Sequence, residues 1–394
     1  MEPPNAQLAQ RAQRFVFAMG MVAMFGDLTY EGARGLSGPY LALLGASATL
    51  VGFTAGLGEL LGYGLRLVSG WLSDRTRAYW PLVALGYGLN LVAVPGLALV
   101  GRYEWAIALI LLERVGKAIR SPARATLVSS AARMVGSGRS FGLEEALDQL
   151  GAVGGPLLTV LVLAIAPGEA LERFRAAYLV LLLPVLGNLL VLAWARRQLP
   201  RPEVLEPASR PVLEVDGQLR WLFAGAMLVG LGFADWALVA FHGLRSGGWS
   251  AGALPLFYAL AMGIDGLAAL GLGRLYDRHG PKVLAGTAVV SAVMAPLAFG
   301  GGGPWTLIAA AVVFGVGMGA QESIYKAALA DRVPLPARGR IYGRFFAAFG
   351  GAWWLGSTVM GWLYDHHRGG LIAFSVATQL LAVPCFWRLK RSTS

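Results

Sequence analysis

The sequence predicts an all-α integral membrane protein with twelve transmembrane helices in two pseudo-symmetric six-helix bundles, and three observations carry that prediction. Only 14% of residues are charged and 56% are hydrophobic, against about 25% charged in a soluble domain. Apolar runs long enough to cross a hydrocarbon core of roughly 30 Å as helices recur along the whole chain. Patterns in the first half return about two hundred residues later.

The apolar runs lie near 14–43, 48–72, 79–100, 103–127, 139–165, 174–196, 219–243, 251–274, 281–300, 304–331, 337–364 and 368–389. None alternates with the period of two that a membrane barrel strand requires. The first run lacks a small-residue cleavage site and carries Asp27, Glu31 and Arg34, so it reads as a permanent helix rather than a signal peptide. Cys385 is the one cysteine, which excludes an intrachain disulfide and a thiolate metal site.

The formal charge of +11 has a topological explanation. With both termini in the cytoplasm, most of the 33 Lys and Arg residues fall at or near the inner face, as the positive-inside rule requires. The basic excess therefore sets orientation, and no nucleic-acid partner is assigned. The four histidines give no ligand spacing on one helix beyond the adjacent pair His366 and His367, so no metal site is expected.

Gly70, Leu72, Asp74 and Arg75 return as Gly273, Leu275, Asp277 and Arg278. Arg124 and Leu127 are matched by Lys326 and Leu329, and Asp27 by Asp235. A duplicated six-helix unit explains this, with an N-terminal bundle over 1–195 and a C-terminal bundle over 219–394. The joint, 196–218, is Pro-rich and charged, as a cytoplasmic linker should be.

Parallel helical repeats joined by a polar loop suit a transporter whose halves rock about a central site. With Gly-x-x-x-Asp-Arg after the second apolar run and again after the eighth, the chain resembles the major facilitator superfamily over residues 14 to 390. Gly151-Ala-Val-Gly-Gly155-Pro156 resembles the helix-5 signature of the family's exporters, then departs from it at Leu157, Leu158 and Thr159. GDLTYE, ERVGKAIRSPAR and GRSFGLEEALDQLGAVGGP resemble a largely uncharacterised bacterial branch of that family, although Ala125 stands where the branch carries Asp. The resemblance implies that Asp74 meets the start of helix 11, near Arg338 to Arg344, and that helices 1, 2, 4, 5, 7, 8, 10 and 11 surround the cavity.

Physically, a carboxylate such as Asp74 can accept bonds from a neighbouring helix N-terminus, and Arg75 can reach carboxylates or phosphates, which makes a breakable latch. Gly151 and Gly155 share a helix face and permit close backbone approach, while Pro156 favours a bend.

Charges at membrane depth are costly unless paired or hydrated, so each needs a reason. Asp27, Tyr30, Glu31 and Arg34 fall on one face of helix 1, either lining the cavity or forming an internal Glu31–Arg34 pair. Glu113, Lys117, Arg120 and Arg124 stripe helix 4, and helix 5 offers Glu144, Glu145 and Asp148. Antiparallel packing is expected to level Glu113 and Lys117 with Glu145 and Asp148, as a fixed ion-pair network or as a substrate and proton site. Glu59 and Arg66 in helix 2, Asp235 in helix 7, Asp265 in helix 8 and the pair Glu322 and Lys326 in helix 10 complete the candidate pathway. A carboxylate in low dielectric can carry a proton near neutral pH. Asp27, then Glu31, then Asp235 are the first choices for that role.

No Walker loop, HExxH or GxSxG elbow is visible, so the reading is not an enzyme and not an ATP-driven pump. The expectation is a secondary transporter of a small molecule, a monomer in the lipid bilayer of the bacterial inner membrane. It needs no cofactor and uses a proton gradient for export. Uptake or facilitated transport is the alternative, and a non-transporting sensor or scaffold stands behind both.

Overall fold

The computed structural model describes residues 4–135, 137–198, 217–246, 249–250, 252–301, 303–333 and 338–390. Sixteen α-helices make up these residues: α1 (Pro4–Leu43), α2 (Ala48–Thr76), α3 (Tyr79–Gly96), α4 (Tyr103–Val135), α5 (Ser137–Ile165), α6 (Ala170–Val180), α7 (Leu182–Gln198), α8 (Leu219–Gly232), α9 (Trp236–Arg245), α10 (Leu254–His279), α11 (Lys282–Ala292), α12 (Met294–Phe299), α13 (Pro304–Glu322), α14 (Ile324–Ala330), α15 (Arg338–His366) and α16 (Arg368–Trp387). Four consecutive pairs, α6/α7, α8/α9, α11/α12 and α13/α14, each correspond to one apolar run of the sequence, to within a few residues at the ends. Eight helical stretches among the described residues are long and apolar enough to cross a membrane. α1, α2, α4 and α15 are not among them; α1, α2 and α4 carry buried charged side chains, and α15 begins with Arg338, Arg340 and Arg344. Most of the linker at 196–218 lies outside the described residues.

The helices cluster into two compact units that interleave along the chain. One comprises residues 1–33, 65–100 and 108–208; the other comprises 34–64, 101–107 and 209–394. Packing thus groups the end of α1 and the first half of α2 with the residues that follow the linker.

In the first unit, Phe15, Met19 and Val22 of α1 meet Trp80, Val83 and Tyr87 of α3, Leu127 of α4 and Leu192 of α7 in one apolar cluster. Glycines set the closest approaches. A Cβ at Gly86 or at Gly116 would sit within 2.7 Å of the other residue's carbonyl oxygen, so the α3 and α4 backbones touch there. Gly151 and Gly155 of α5 face the backbone of α1 at Met24 and Leu28 in the same way. Asn188 adds a polar tie by donating to the Val22 carbonyl at 2.6 Å.

In the second unit, the seventh apolar run is broken. Phe233 and Asp235 are extended between α8 and α9, where the sequence pattern suggests one continuous helix. A break inside a membrane segment frees backbone groups that must find partners. Here they do. Ser375 Oγ and Gln379 Nε2 of α16 donate to the Gly232 carbonyl at 2.6 and 3.1 Å. Asp235 caps α9 by accepting from the Ala237 amide at 2.9 Å.

Candidate functional site

The helix-1 stripe is divided between the units, and each part heads its own buried cluster. In the second unit, Arg34 Nη2 lies 3.1 Å from Glu59 Oε1 and 3.2 Å from Asp235 Oδ2. The three side chains are 6%, 8% and 2% exposed, so one guanidinium joins α1, α2 and the α8/α9 break in a largely dry environment. Beside the Glu31–Arg34 pair expected within helix 1, Arg34 thus has two partners from distant parts of the chain. Asp235 holds two roles at once, since one oxygen caps α9 while the other accepts from Arg34.

In the first unit, Tyr30 is the organising side chain. Its hydroxyl accepts from Arg114 Nη1. The Arg114 guanidinium lies 4.6 Å and the Lys117 ammonium 3.4 Å from its ring centroid, so two cations lie against one aromatic ring. Glu113 sits 3.6 Å from Arg114 Nε. Glu31 and Glu113 are buried, whereas Asp27, Lys117 and Asp148 are half-buried. Asp27 is in electrostatic reach of Asp148, Lys117, Glu31 and Arg120. Arg120 covers the Tyr87 ring at 4.4 Å, and Arg124 pairs with Glu144 across α4 and α5.

That last pair fixes the register between the two helices. With Arg124 against Glu144 on antiparallel helices, Arg120 is level with Asp148, and Glu113 is level with Gly155. Of the residues expected to be level, Lys117 and Asp148 both lie in electrostatic reach of Asp27, and Glu113 lies further along α4 beside Arg114. Glu145 itself is exposed.

Other expected residues stand apart from both clusters. Asp265 is buried on α10, where Gly315 and Gly319 of α13 pack on its backbone. Glu322 and Lys326 are exposed. So are Asp74, Arg75, Asp277 and Arg278, with Gly70 and Gly273 half-buried in the turns before them. The side chains of Arg338 and Arg340, expected near Asp74, lie outside the described residues. Pro156 lies inside α5. Among the described residues no group of three His, Cys, Asp or Glu side chains is arranged to hold a metal.

Arg114 was not among the candidate residues, although it is the hydrogen-bond partner of Tyr30. Its signal was present in the sequence: a membrane-depth arginine three residues before Lys117 shares a helix face with it.

The sequence profile described as Major Facilitator Superfamily matches residues 14–299. The uncharacterized protein Rv2265 of Mycobacterium tuberculosis is 40% identical over 391 residues, covering 97% of this chain and 94% of its own. An uncharacterized MFS-type transporter of Methanocaldococcus jannaschii, MJ1317, is 26% identical over 157 residues, 40% of this chain and 39% of its own. Among solved structures, the nucleoside transporter NupG superposes with a TM-score of 0.75 at 13% identity, covering 95% of this chain and all of that one. A D-xylose–proton symporter gives 0.70 at 15% identity over 97% and 98% of the two chains. The fold of these neighbours is a transporter fold and not that of an enzyme. A helical membrane chain whose profile match spans most of its length belongs to the Major Facilitator Superfamily.

Proposed function

We propose that the protein is a proton-coupled secondary transporter that exports a small solute across the bacterial inner membrane by alternating access. In this reading the chain crosses the bilayer twelve times as a monomer, with both termini cytoplasmic, and the bundles over 1–195 and 219–394 rock about a central site. The observation that carries it is the charge stripe of helix 1, where Asp27, Glu31 and Arg34 are all held among other ionisable groups at membrane depth. A fixed scaffold gains nothing from such residues, whereas a coupled transporter needs carboxylates that change protonation as access changes. Asp27 with Glu31 and Lys117 forms the candidate site for substrate and proton, with Tyr30, Glu113, Asp148 and Arg114 around it. The mixed charge suits a solute with polar or charged groups.

The export direction rests on Gly151, Gly155 and Pro156, which resemble the exporters' helix-5 signature. Their tight contact with the α1 backbone makes α5 a natural place to transmit bending to the face that bears Asp27.

The test is transport by purified protein in liposomes under an imposed pH gradient, against a pooled library of metabolites, drugs and metals. Asp27→Asn keeps the shape and removes the titrating group. It is expected to lower gradient-driven movement by about a hundredfold or more, while solute exchange without a gradient persists. Equal gradient-driven rates in the variant and the wild type would remove Asp27 from the coupling path, and inward movement with protons would replace export by uptake.

Asp74 then acts as the cytoplasmic latch. Asp74→Asn is expected to slow cycling several-fold with substrate affinity unchanged to within about threefold, because a latch acts on the conformational equilibrium and not on the bound solute. A variant with wild-type turnover would exclude that role.

A further inference from the structure

The Gly-x-Leu-x-Asp pattern of 70–74 and 273–277 occurs a third time, as Gly361-Trp-Leu-Tyr-Asp365 at the C-terminal end of α15. There the geometry of the pattern is fully visible. Asp365 Oδ1 accepts from the Ala48 amide at 3.2 Å, and Oδ2 accepts from the Thr49 amide at 2.8 Å and the Thr49 hydroxyl at 2.7 Å. Ser47 serves the next amide, that of Leu50, through its hydroxyl at 3.3 Å. The free amides of the first turn of α2 are thus divided between its own cap and a carboxylate from another helix.

Below this contact the two helices run antiparallel along a seam of small residues. A Cβ at Gly361 would meet the Ala48 carbonyl at 2.5 Å, Gly52 faces the Ser357 carbonyl, and a Cβ at Gly56 would meet Trp354 Cα at 2.6 Å. Near the middle of α2, Gly350 faces Glu59 and Leu60. Much of this contact is backbone over glycine, and the ring contacts of Phe53 with Trp354 at 5.9 Å and of Tyr63 with Phe346 at 5.3 Å are the side-chain packing that must slide when the helices part. Asp365 is the polar fastener at the end of that seam. It is exposed, so water can replace its bonds when the seam opens.

We propose that Asp365 is a gating residue: its carboxylate, bound to the N-terminus of α2, holds closed the face of the membrane at which α2 begins. This rests on the alternating-access reading above and adds the half that Asp74 does not supply. Asp74 lies in the last turns of α2, so the two copies of the five-residue pattern act at opposite ends of that one helix. Asp365 holds the start of α2, Asp74 stands at its other end, and in the alternating-access reading the two latches close in opposite phases of the cycle.

Accessibility tests this without any knowledge of the solute. In a Cys385→Ser background, Ser357→Cys puts a thiol within the seam, where Ser357 is 1% exposed. A membrane-impermeant maleimide is applied from the side at which α2 begins. Asp365→Ala is expected to raise the labelling rate on the order of tenfold with the melting temperature unchanged, and Thr49→Val to raise it less, because each removes part of a charge-assisted contact. Asp74→Asn is expected to lower the rate, by favouring the phase that Asp365 holds. An unchanged rate in Asp365→Ala, or a rise accompanied by lower melting temperature and by no opposite response in Asp74→Asn, would overturn the gate. Failure of the liposome assay alone would instead remove the transport reading and leave the labelling pattern standing.

Discussion

Arg34→Met is expected to abolish gradient-driven transport and to destabilise the fold by about 3–5 kcal/mol, the usual consequence of removing one partner from a buried ion cluster. The reason is specific to the triad. Glu59 and Asp235 are 8% and 2% exposed, and both rely on the same guanidinium. Without it, two carboxylates remain close together in a poorly solvated place, and the α8/α9 break is tied to an acid that has lost a partner. Asp235→Asn separates the two roles of that residue, because Asn can still cap α9 while its charge is gone. Its stability is therefore expected to fall by less than that of Arg34→Met.

The triple variant Arg34→Met, Glu59→Gln, Asp235→Asn completes the argument. A neutral cluster of similar volume is expected to recover most of the melting temperature, since replacing all members of a buried ion cluster is often close to neutral. Transport is expected to stay lost. Recovery of both would make the triad a structural element only, and wild-type melting in Arg34→Met would show that the three residues do not act as a unit. Detergent-solubilised protein, monitored by thermal unfolding alongside the liposome assay, gives both readouts.

The sequence exposes the helical rods and their charges more readily than it exposes the partners of those charges. Apolar runs are set by the thickness of the bilayer, so rods such as α10 and α16 can be read from composition. Asp27, Tyr30, Glu31 and Arg34 share a helix face by spacing alone, yet spacing cannot say that Arg34 turns to Glu59 and Asp235 while Tyr30 turns to Arg114. Those choices depend on where helices cross; the Gly151/Gly155 pair shows one crossing by its spacing, but single glycines such as Gly86 and Gly116 give no signal until their neighbours are known. The break at Asp235 is hidden for a related reason. Gly232 ends α8 and Asp235 caps α9, but glycine is too common in membrane helices to mark an end by itself, and it is the long-range bonds from Ser375 and Gln379 that make the break tolerable.

Gly155→Val is expected to be the most damaging single substitution in the helix-5 motif, and its neighbour Gly154 supplies the contrast. At Gly155 a Cβ would run into the Leu28 carbonyl oxygen and come within 2.8 Å of the Gly32 amide nitrogen, both backbone atoms of α1. Backbone cannot rotate away, so α1 and α5 must separate, and the loss is expected at the upper end of the roughly 1–3 kcal/mol that overpacking brings. At Gly154 a Cβ would meet only Leu28 Cδ2 at 3.1 Å, the far end of a flexible side chain. Gly154→Ala is accordingly expected to change stability by less than about 0.5 kcal/mol. Separating α1 from α5 also moves the face of α1 that bears Asp27, whose Cβ would lie 3.1 Å from a Cβ at Gly151 one turn away. Any Gly155→Val protein that still folds should therefore show weakened coupling as well as a lower melting temperature. Comparable melting temperatures for Gly155→Val and Gly154→Ala would mean that the α1–α5 backbone contact is not what holds this part of the first unit together.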